Sequence, residues 1–353
     1  MNERKILSVI IAAYNMEAYL PRCLESLLVA DARLLSLLEV LVINDGSKDR
    51  TSEVAHAFAA KHPDVIRVID KENGNYGSCI NRGLDEATGV FVKCLDADDW
   101  FDTKVFERYL AFIELLAAQA DGPDLVVNDY VMVDADDNIQ WREIYSDCAA
   151  DGFRLPQFLT HFIGALSMHA MALRTDRVRA LGYRQSTGLS YTDLEWIAYP
   201  MMNVRSFVYF PNGVLYRYLV GREGQTMDRG TLLKNVWMQL VIAEREVSWY
   251  SKHRLETAEE NRHYLDLRIA LNIYMVYRTW LVNESLPCIG ADDIARLDEA
   301  LERDVPDVDA AFREFGRARR WIKAYVRLWR RHRANPLFKP LDRLVRLALR
   351  AKT

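Results

Sequence analysis

The chain has 353 residues, half of them hydrophobic and 27% charged, with a formal net charge of −4. That balance excludes a disordered or fibrous chain, and the length exceeds the size at which one core usually stops growing, so a large domain with a smaller appended one is expected. The five cysteines, Cys23, Cys79, Cys94, Cys148 and Cys288, contain no C-x-x-C pair, which argues against disulfides and a structural zinc site.

From the N-terminus, a polar start leads into an apolar segment too short for a signal peptide or a membrane span, which points to the cytoplasm. Up to Asp129 short β-branched runs alternate with longer amphipathic stretches, the pattern of βα units feeding a mostly parallel sheet. The strands read Leu7–Ala12, Glu39–Asn44, Val65–Ile69, Val90–Leu95 and Leu125–Val127, each apolar on successive residues as if covered on both faces. Helices fill the gaps at Glu17–Leu28, Thr51–Lys61, Ser78–Ala87 and Thr103–Ala118, with Asn15, Asp49 and Asp102 as caps and Gly89 closing the third. Beyond Asp129 a hairpin is expected, Val131 and Val133 leading to an Asp136-Asp137-Asn138 turn and Gln140–Tyr145 returning. Strands at Met168–Leu173, Ser206–Tyr209 and Val214–Leu219 bracket helices near Thr175–Leu181 and Asp193–Met201. After Gly230 the pattern is helical, at Leu232–Tyr250, Ala258–Val282, Asp292–Arg303, Asp309–Arg331 and Leu341–Ala351. The pattern changes near Arg229, so we expect two domains, 1–229 and 230–353.

Leu95-Asp96-Ala97-Asp98-Asp99-Trp100 puts three acids at the C-terminal end of an apolar strand, where ligands bind in open α/β sheets. The mutual repulsion of three carboxylates is relieved by a divalent cation with hard oxygen ligands, Mn²⁺ or Mg²⁺, sharing its shell with a bound diphosphate. The competing reading, in which Asp98 or Asp99 only caps the next helix, is weakened because Asp102 fits that role better.

The strand, D-x-D-D and following aromatic resemble the donor-metal motif of the family 2 glycosyltransferases, which have the GT-A fold. Other landmarks follow in order. Strand one ends Ala12-Ala13-Tyr14-Asn15-Met16-Glu17, similar to the family's Y-N-x-E signature, and Asn44-Asp45-Gly46-Ser47-Lys48-Asp49-Arg50-Thr51 resembles its D-G-S-x-D-x-T pattern. Lys71 to Gly83, with Asn75, stands where the family has the loop and helix flanking the base. The resemblance implies a nucleotide-sugar site formed by Ala12, Tyr14, Glu17, Asp45, Asn75, Asp96, Ala97, Asp98 and Arg222, with Asp96 and Asp98 holding the metal. Within it, Tyr14 would lie against the base and Asp45 would accept a hydrogen bond from uracil. Ser190-Tyr191-Thr192-Asp193-Leu194-Glu195-Trp196 stands at the place of the family's E-D-x-x-[FW] segment, so Asp193 is the implied general base, with Glu195 as understudy. A bare helix-terminal acid is the plainer reading of Asp193. His169 reads either as a packed strand residue or as a group near the metal. Arg222 lies in a basic, Gly-containing loop that would fold over donor phosphates, or in a plain surface hairpin.

An inverting transfer from a nucleotide-sugar, UDP by default, to a glycan or lipid-linked acceptor in bacterial surface polysaccharide synthesis is what this resemblance implies. Two other classes stay in view. A dinucleotide enzyme would need G-x-G-x-x-G where Ala13-Tyr14-Asn15 stands, and a nucleotidyltransferase a basic glycine-rich loop there. A non-catalytic scaffold would have no use for Asp96, Asp98 and Asp193 together. Residues 317–353 carry thirteen Lys and Arg against one acid, Asp342. Trp321, Ile322, Tyr325, Val326, Leu328 and Trp329 interleave with that charge, which suits peripheral attachment to an anionic inner membrane face, or a core-facing helix with solvated arginines. Nucleic acid is not expected as a partner.

Overall fold

Strands that run apolar on consecutive residues must be covered on both faces, and the central ones here are. β1 (Leu7–Ala13) and β2 (Leu38–Asn44) are buried almost throughout. The structure is a computed structural model that describes residues 4–222, 225, 229–282, 289–314, 320–333, 335, 342, 344, 345 and 347.

Between the first two strands lie two short helices, α1 (Leu20–Glu25) and α2 (Ala32–Ser36), where one longer helix from Glu17 was expected. The break has a local cause: Pro21 suits only the first turn of a helix, and Asp31 caps a new start by accepting from the amides of Arg33 and Leu34. The βα alternation continues with α3 (Thr51–Lys61), β3 (Ile66–Asp70), α4 (Asn75–Glu86) and β4 (Phe91–Asp96). α4 begins three residues before the expected Ser78, with Asn75 in the left-handed region at φ 63°. A short β5 (Trp100–Phe101) precedes α5 (Thr103–Ala117), whose N-cap Asp102 accepts from the Val105 amide as expected.

The other two expected caps do different work. Asn15 accepts from the Lys48 amide, and Asp49 accepts from the amides of Glu17 and Thr51, so both tie the β1–α1 loop to the β2–α3 loop. Gly89 does not close α4, whose C-cap is Ala87; a Cβ there would lie 2.5 Å from the Ser8 amide nitrogen, so glycine is needed for close approach of the chain to β1.

After β6 (Leu125–Val127) comes the hairpin of β7 (Tyr130–Val133) and β8 (Ile139–Glu143), its turn held by Asp134, which accepts from the amides of Asp136 and Asn138. Then come α6 (Asp147–Ala150), α7 (Leu155–His161), β9 (Met171–Arg174), α8 (Thr175–Ala180), α9 (Asp193–Trp196), β10 (Phe207–Tyr209) and β11 (Tyr216–Leu219). Met168–Ala170 is a 3-10 turn where a strand was expected, and the expected helix Asp193–Met201 stops at Trp196, with a second 3-10 turn at Tyr199–Met202 around Pro200.

The main sheet has seven strands in the order β10-β6-β9-β4-β1-β2-β3. It is mostly parallel, with β9 antiparallel to both neighbours. A second sheet runs β5-β11-β7-β8. In register, Ala12 stands beside Ile43 on β2 and Asp96 on β4, and Asn44 beside Asp70, which brings the C-terminal ends of four parallel strands to one edge. The described cysteines, Cys23, Cys79, Cys94 and Cys148, are buried free thiols.

The chain divides into two units, Met1–Glu223 and Gly224–Thr353. The second contains α10 (Arg229–His253), α11 (Glu259–Val282), α12 (Ala291–Asp304), α13 (Pro306–Glu314) and α14 (Arg320–His332). The single helix expected over Asp309–Arg331 is therefore two, with residues 315–319 outside the description, and of the helix expected over 341–351 only four scattered residues are described. On α14, Ile322, Tyr325, Val326 and Trp329 are buried, with Trp329 edge-on to Trp280 at 5.3 Å between ring centroids. Arg330 and Arg333 both reach the fully buried Asp298, and Arg330 also reaches Asp309 at 2.7 Å. The apolar face of this helix is thus core, and Arg330 on it and Arg333 just after it are held in internal ion pairs. Among the described residues no helix is long and apolar enough to cross a membrane.

Candidate active site

The acid cluster forms where β4 runs out of the sheet. Asp96 ends the strand, and the Asp99 amide turns back to the Asp96 carbonyl at 3.0 Å, so three carboxylates are folded into one tight turn. They have different surroundings. Asp99 is buried and fully engaged, accepting from the Tyr216 hydroxyl at 2.6 Å and the Leu219 amide at 2.8 Å, both on β11. Asp98 is partly exposed and takes Arg222 Nε at 3.0 Å and Nη2 at 2.9 Å on its Oδ2. Asp96 keeps Oδ1 buried without a hydrogen-bond partner.

Burial, followed by the nearby charge of Asp98, raises the Asp96 carboxyl above the usual carboxylate range. Asp193 adds to that rise, and its charge also raises Tyr76 and Tyr218, so the acid at the start of α9 belongs to the same electrostatic neighbourhood. Burial and then Asp98 and Asp96 likewise push Asp99 up.

His169 was open between packing and function. Its ring is buried among Tyr216, Tyr218 and Tyr130, at centroid distances of 4.6, 4.5 and 5.5 Å. Burial and then the Lys93 charge push it down to about 3, so it is a neutral imidazole at ordinary pH. Its Nδ1 has no hydrogen-bond partner, and Asp96, Asp99 and His169 each offer a ligand atom within 4.8 Å of the others. The motif pair Asp96 and Asp98 is thus joined by two further groups from β11's surroundings. Asp99 was visible in the sequence but had no reason to outrank its neighbours, and the His169 contacts depend on a strand about fifty residues on, which no local spacing reveals.

The implied nucleotide residues occupy the adjoining strand ends. Asp45 is buried; its Oδ1 accepts from Lys71 Nζ at 2.5 Å and from the Gly74 amide at 2.9 Å, and its own amide donates to the Ala13 carbonyl. Lys71 was not singled out from sequence, although a lone cation just past a strand end is a usable signal. Tyr14 is an exposed ring, 42% accessible, just past β1. Glu17 accepts from the Arg50 amide while its own amide donates to Asp49, so this motif acid laces two loops together. Ala97 is buried inside the acid turn. Glu195, the understudy, is buried and accepts from both the amide and the hydroxyl of Ser186, which makes it a fastening for the segment before α9. The basic loop expected to cover the phosphates is described only to Arg222 and at Gln225; residues 223, 224 and 226–228 lie outside the description.

The family model described as Glycosyl transferase family 2 matches residues 8–172, which span β1 through the first strands of this site. Residues 8–172 thus match a family 2 glycosyltransferase domain. Among curated proteins, the chain is 33% identical over 128 residues to the putative glycosyltransferase EpsH of Bacillus subtilis, covering 36% of the chain and 34% of that relative. It is 32% identical over 117 residues to the minor teichoic acid biosynthesis protein GgaB of the same organism, covering 32% of the chain and 13% of that protein. The chain therefore spans about a third or less of the length of these relatives. In fold it is similar to S. aureus TarS 1-349 in complex with UDP-GlcNAc, at a TM-score of 0.52 and 17% identity over 88% of the chain and 91% of that structure. The chain has the GT-A fold, with helices appended after it.

Proposed function

We propose that this protein is an inverting glycosyltransferase that moves a sugar from a nucleotide-sugar, by default a UDP-sugar, to a hydroxyl of a glycan or lipid-linked acceptor. The observation that carries this is the acid cluster: a buried, unpartnered Asp96 oxygen beside Asp98, at the sheet edge where Ala12, Asp45 and the start of α4 converge. TarS, similar in fold, is described with UDP-GlcNAc, and GgaB by its role in teichoic acid synthesis, which support a nucleotide-sugar donor and a surface-polysaccharide product.

The residues present suit a divalent cation. Asp96 Oδ1 is buried without a partner, Arg222 loads only one oxygen of Asp98, and the donors are hard oxygens, with the neutral His169 nearby. Asp96 and Asp98 would hold Mn²⁺ or Mg²⁺, which when bound offsets the charge developing on the leaving diphosphate. Arg222, planar and permanently charged, is available to a phosphate once its hold on Asp98 is shared. Asp193 takes the proton of the acceptor hydroxyl as that oxygen attacks the anomeric carbon, and the nucleoside diphosphate leaves from the opposite face, which inverts the centre. The basic tail brings this chemistry to an anionic inner membrane face through its net charge, since the aromatic face of α14 is already buried.

Calorimetric titration of UDP, GDP and dTDP, with and without Mn²⁺, on the native protein and on Asp98→Ala tests the donor site. Mn²⁺-dependent binding of one nucleotide, lost in the variant, is expected. Failure of all three to bind would remove the transferase reading and leave a non-catalytic scaffold.

A further inference from the structure

The acid cluster is anchored to one end of the four-stranded sheet, and the face of that sheet that meets it continues outward to an exposed tryptophan. Register shows how. Tyr218 on β11 stands opposite Met132 on β7, which stands opposite Trp141 on edge strand β8; one row back, Tyr216 is followed by Tyr130 and Glu143. Residues opposite one another or two apart share a face, so these side chains line one surface. The opposite surface is the small core of Val131, Val133, Leu219 and Trp100.

Across this face the environment changes steadily. Tyr216 is fully buried against Asp99, Tyr218 packs on the His169 ring and is half-buried, Met132 is half-buried, and Trp141 is 59% exposed. The Trp141 indole is not adrift, because its Nε1 donates to Glu143 at 3.1 Å, which fixes the ring edge along the strand and leaves a face to solvent. Two strand spacings, about 10 Å, separate the Tyr218 and Trp141 backbones, a span on the scale of a disaccharide. A flat aromatic ring at the water-facing end of the Tyr218–Met132 row, with the Glu143 carboxylate beside it, suits the apolar face of a sugar ring and its flanking hydroxyls.

We infer that Trp141 is an outlying saccharide subsite, which holds a sugar of the acceptor chain remote from the one whose hydroxyl reacts. The inference rests on the transferase reading for its direction, but the subsite makes its own prediction about saccharide binding. Acceptors longer than a monosaccharide gain affinity from it, and donor binding does not depend on it.

The test uses the full chain and its Trp141→Ala and Trp141→Phe variants, with β-glucan, α-glucan, mannan, galactan and β-linked GlcNAc oligosaccharides and the matching monosaccharides as probes. Calorimetry is expected to show at least one oligosaccharide bound by the native chain, weakened about tenfold by Trp141→Ala and largely restored by Trp141→Phe, with the monosaccharides indifferent. Sedimentation is run alongside. Binding of no oligosaccharide, or equal binding by Trp141→Ala, overturns the subsite, as does a native dimer dissolved by Trp141→Ala, which would assign the exposed face to a second copy. UDP binding in the presence of Mn²⁺ is measured on the same samples; its absence in the native chain would sink the transferase reading, whereas its presence without saccharide binding would sink only the subsite.

Discussion

At the scale of single residues, the site separates acids by what already occupies them. Asp99 and Glu195 have their oxygens filled by protein donors, so they hold the backbone in place, while Asp96 retains a buried oxygen with no donor. Asp193 stands within electrostatic reach of Asp96 at the start of a short helix. Asp193→Asn is expected to lower transfer by ~10²–10⁴-fold, the usual worth of a general base, with nucleotide affinity unchanged. An unchanged turnover rate in a discontinuous sugar-transfer assay would reduce Asp193 to a helix-terminal acid. The nearby Lys93 is wholly buried, donating to Asn128 Oδ1 and the carbonyls of His169 and Met171, and burial pushes it from its ordinary 10.5 down to about 7. Below pH 7 both folded and unfolded chains carry its proton and the cost of a buried charge is felt in full. Between about 7 and 10.5 the unfolded chain binds more protons, so this group makes stability rise with pH. Denaturant unfolding of the native protein and Lys93→Met should therefore give curves that diverge with rising pH, the native protein gaining relative to the variant; a constant difference would show that Lys93 does not titrate there.

At the scale of elements, the informative case is α14. Its sequence interleaves aromatic and basic residues and is compatible with a membrane surface or a core, since both bury the same face. Packing against Trp280 and the ion pairs of Arg330 and Arg333 with Asp298 decide for the core. Asp298 has no exposed surface and also accepts from the Tyr277 hydroxyl. Asp298→Ala would leave two arginines without their buried partner and is expected to destabilise the helical unit by about 3–5 kcal/mol. Thermal unfolding followed in the C-terminal unit checks this, and a loss under 1 kcal/mol would mean the arginines find water instead. The βα elements of the first unit were legible with only small boundary errors, because a doubly covered strand writes its burial into consecutive residues. α1 and α9 were read too long, since apolar periodicity continues past the point where a proline, Pro21 or Pro200, or a new cap reorganises the backbone.

For the whole molecule, the sequence by itself determined the α/β class, the mostly parallel sheet, the resemblance to family 2 glycosyltransferases matched over residues 8–172, and the places of Asp45, Asp96, Asp98 and Asp193 at the ends of their elements. It could do so because strand, turn and acid are local along the chain, and ligand-facing residues follow the strand that presents them. Only the tertiary structure decided how these residues divide their work. Asp98 meets Arg222, and Asp99 meets Tyr216, across more than a hundred residues of chain. His169 joins the cluster from the 3-10 turn before β9, and Trp141 falls in line with Tyr218 through strand register. Hydrogen bonding and burial are set by whichever partner the fold delivers, and a one-residue change of register would turn Tyr218 and Trp141 to the other face of their sheet.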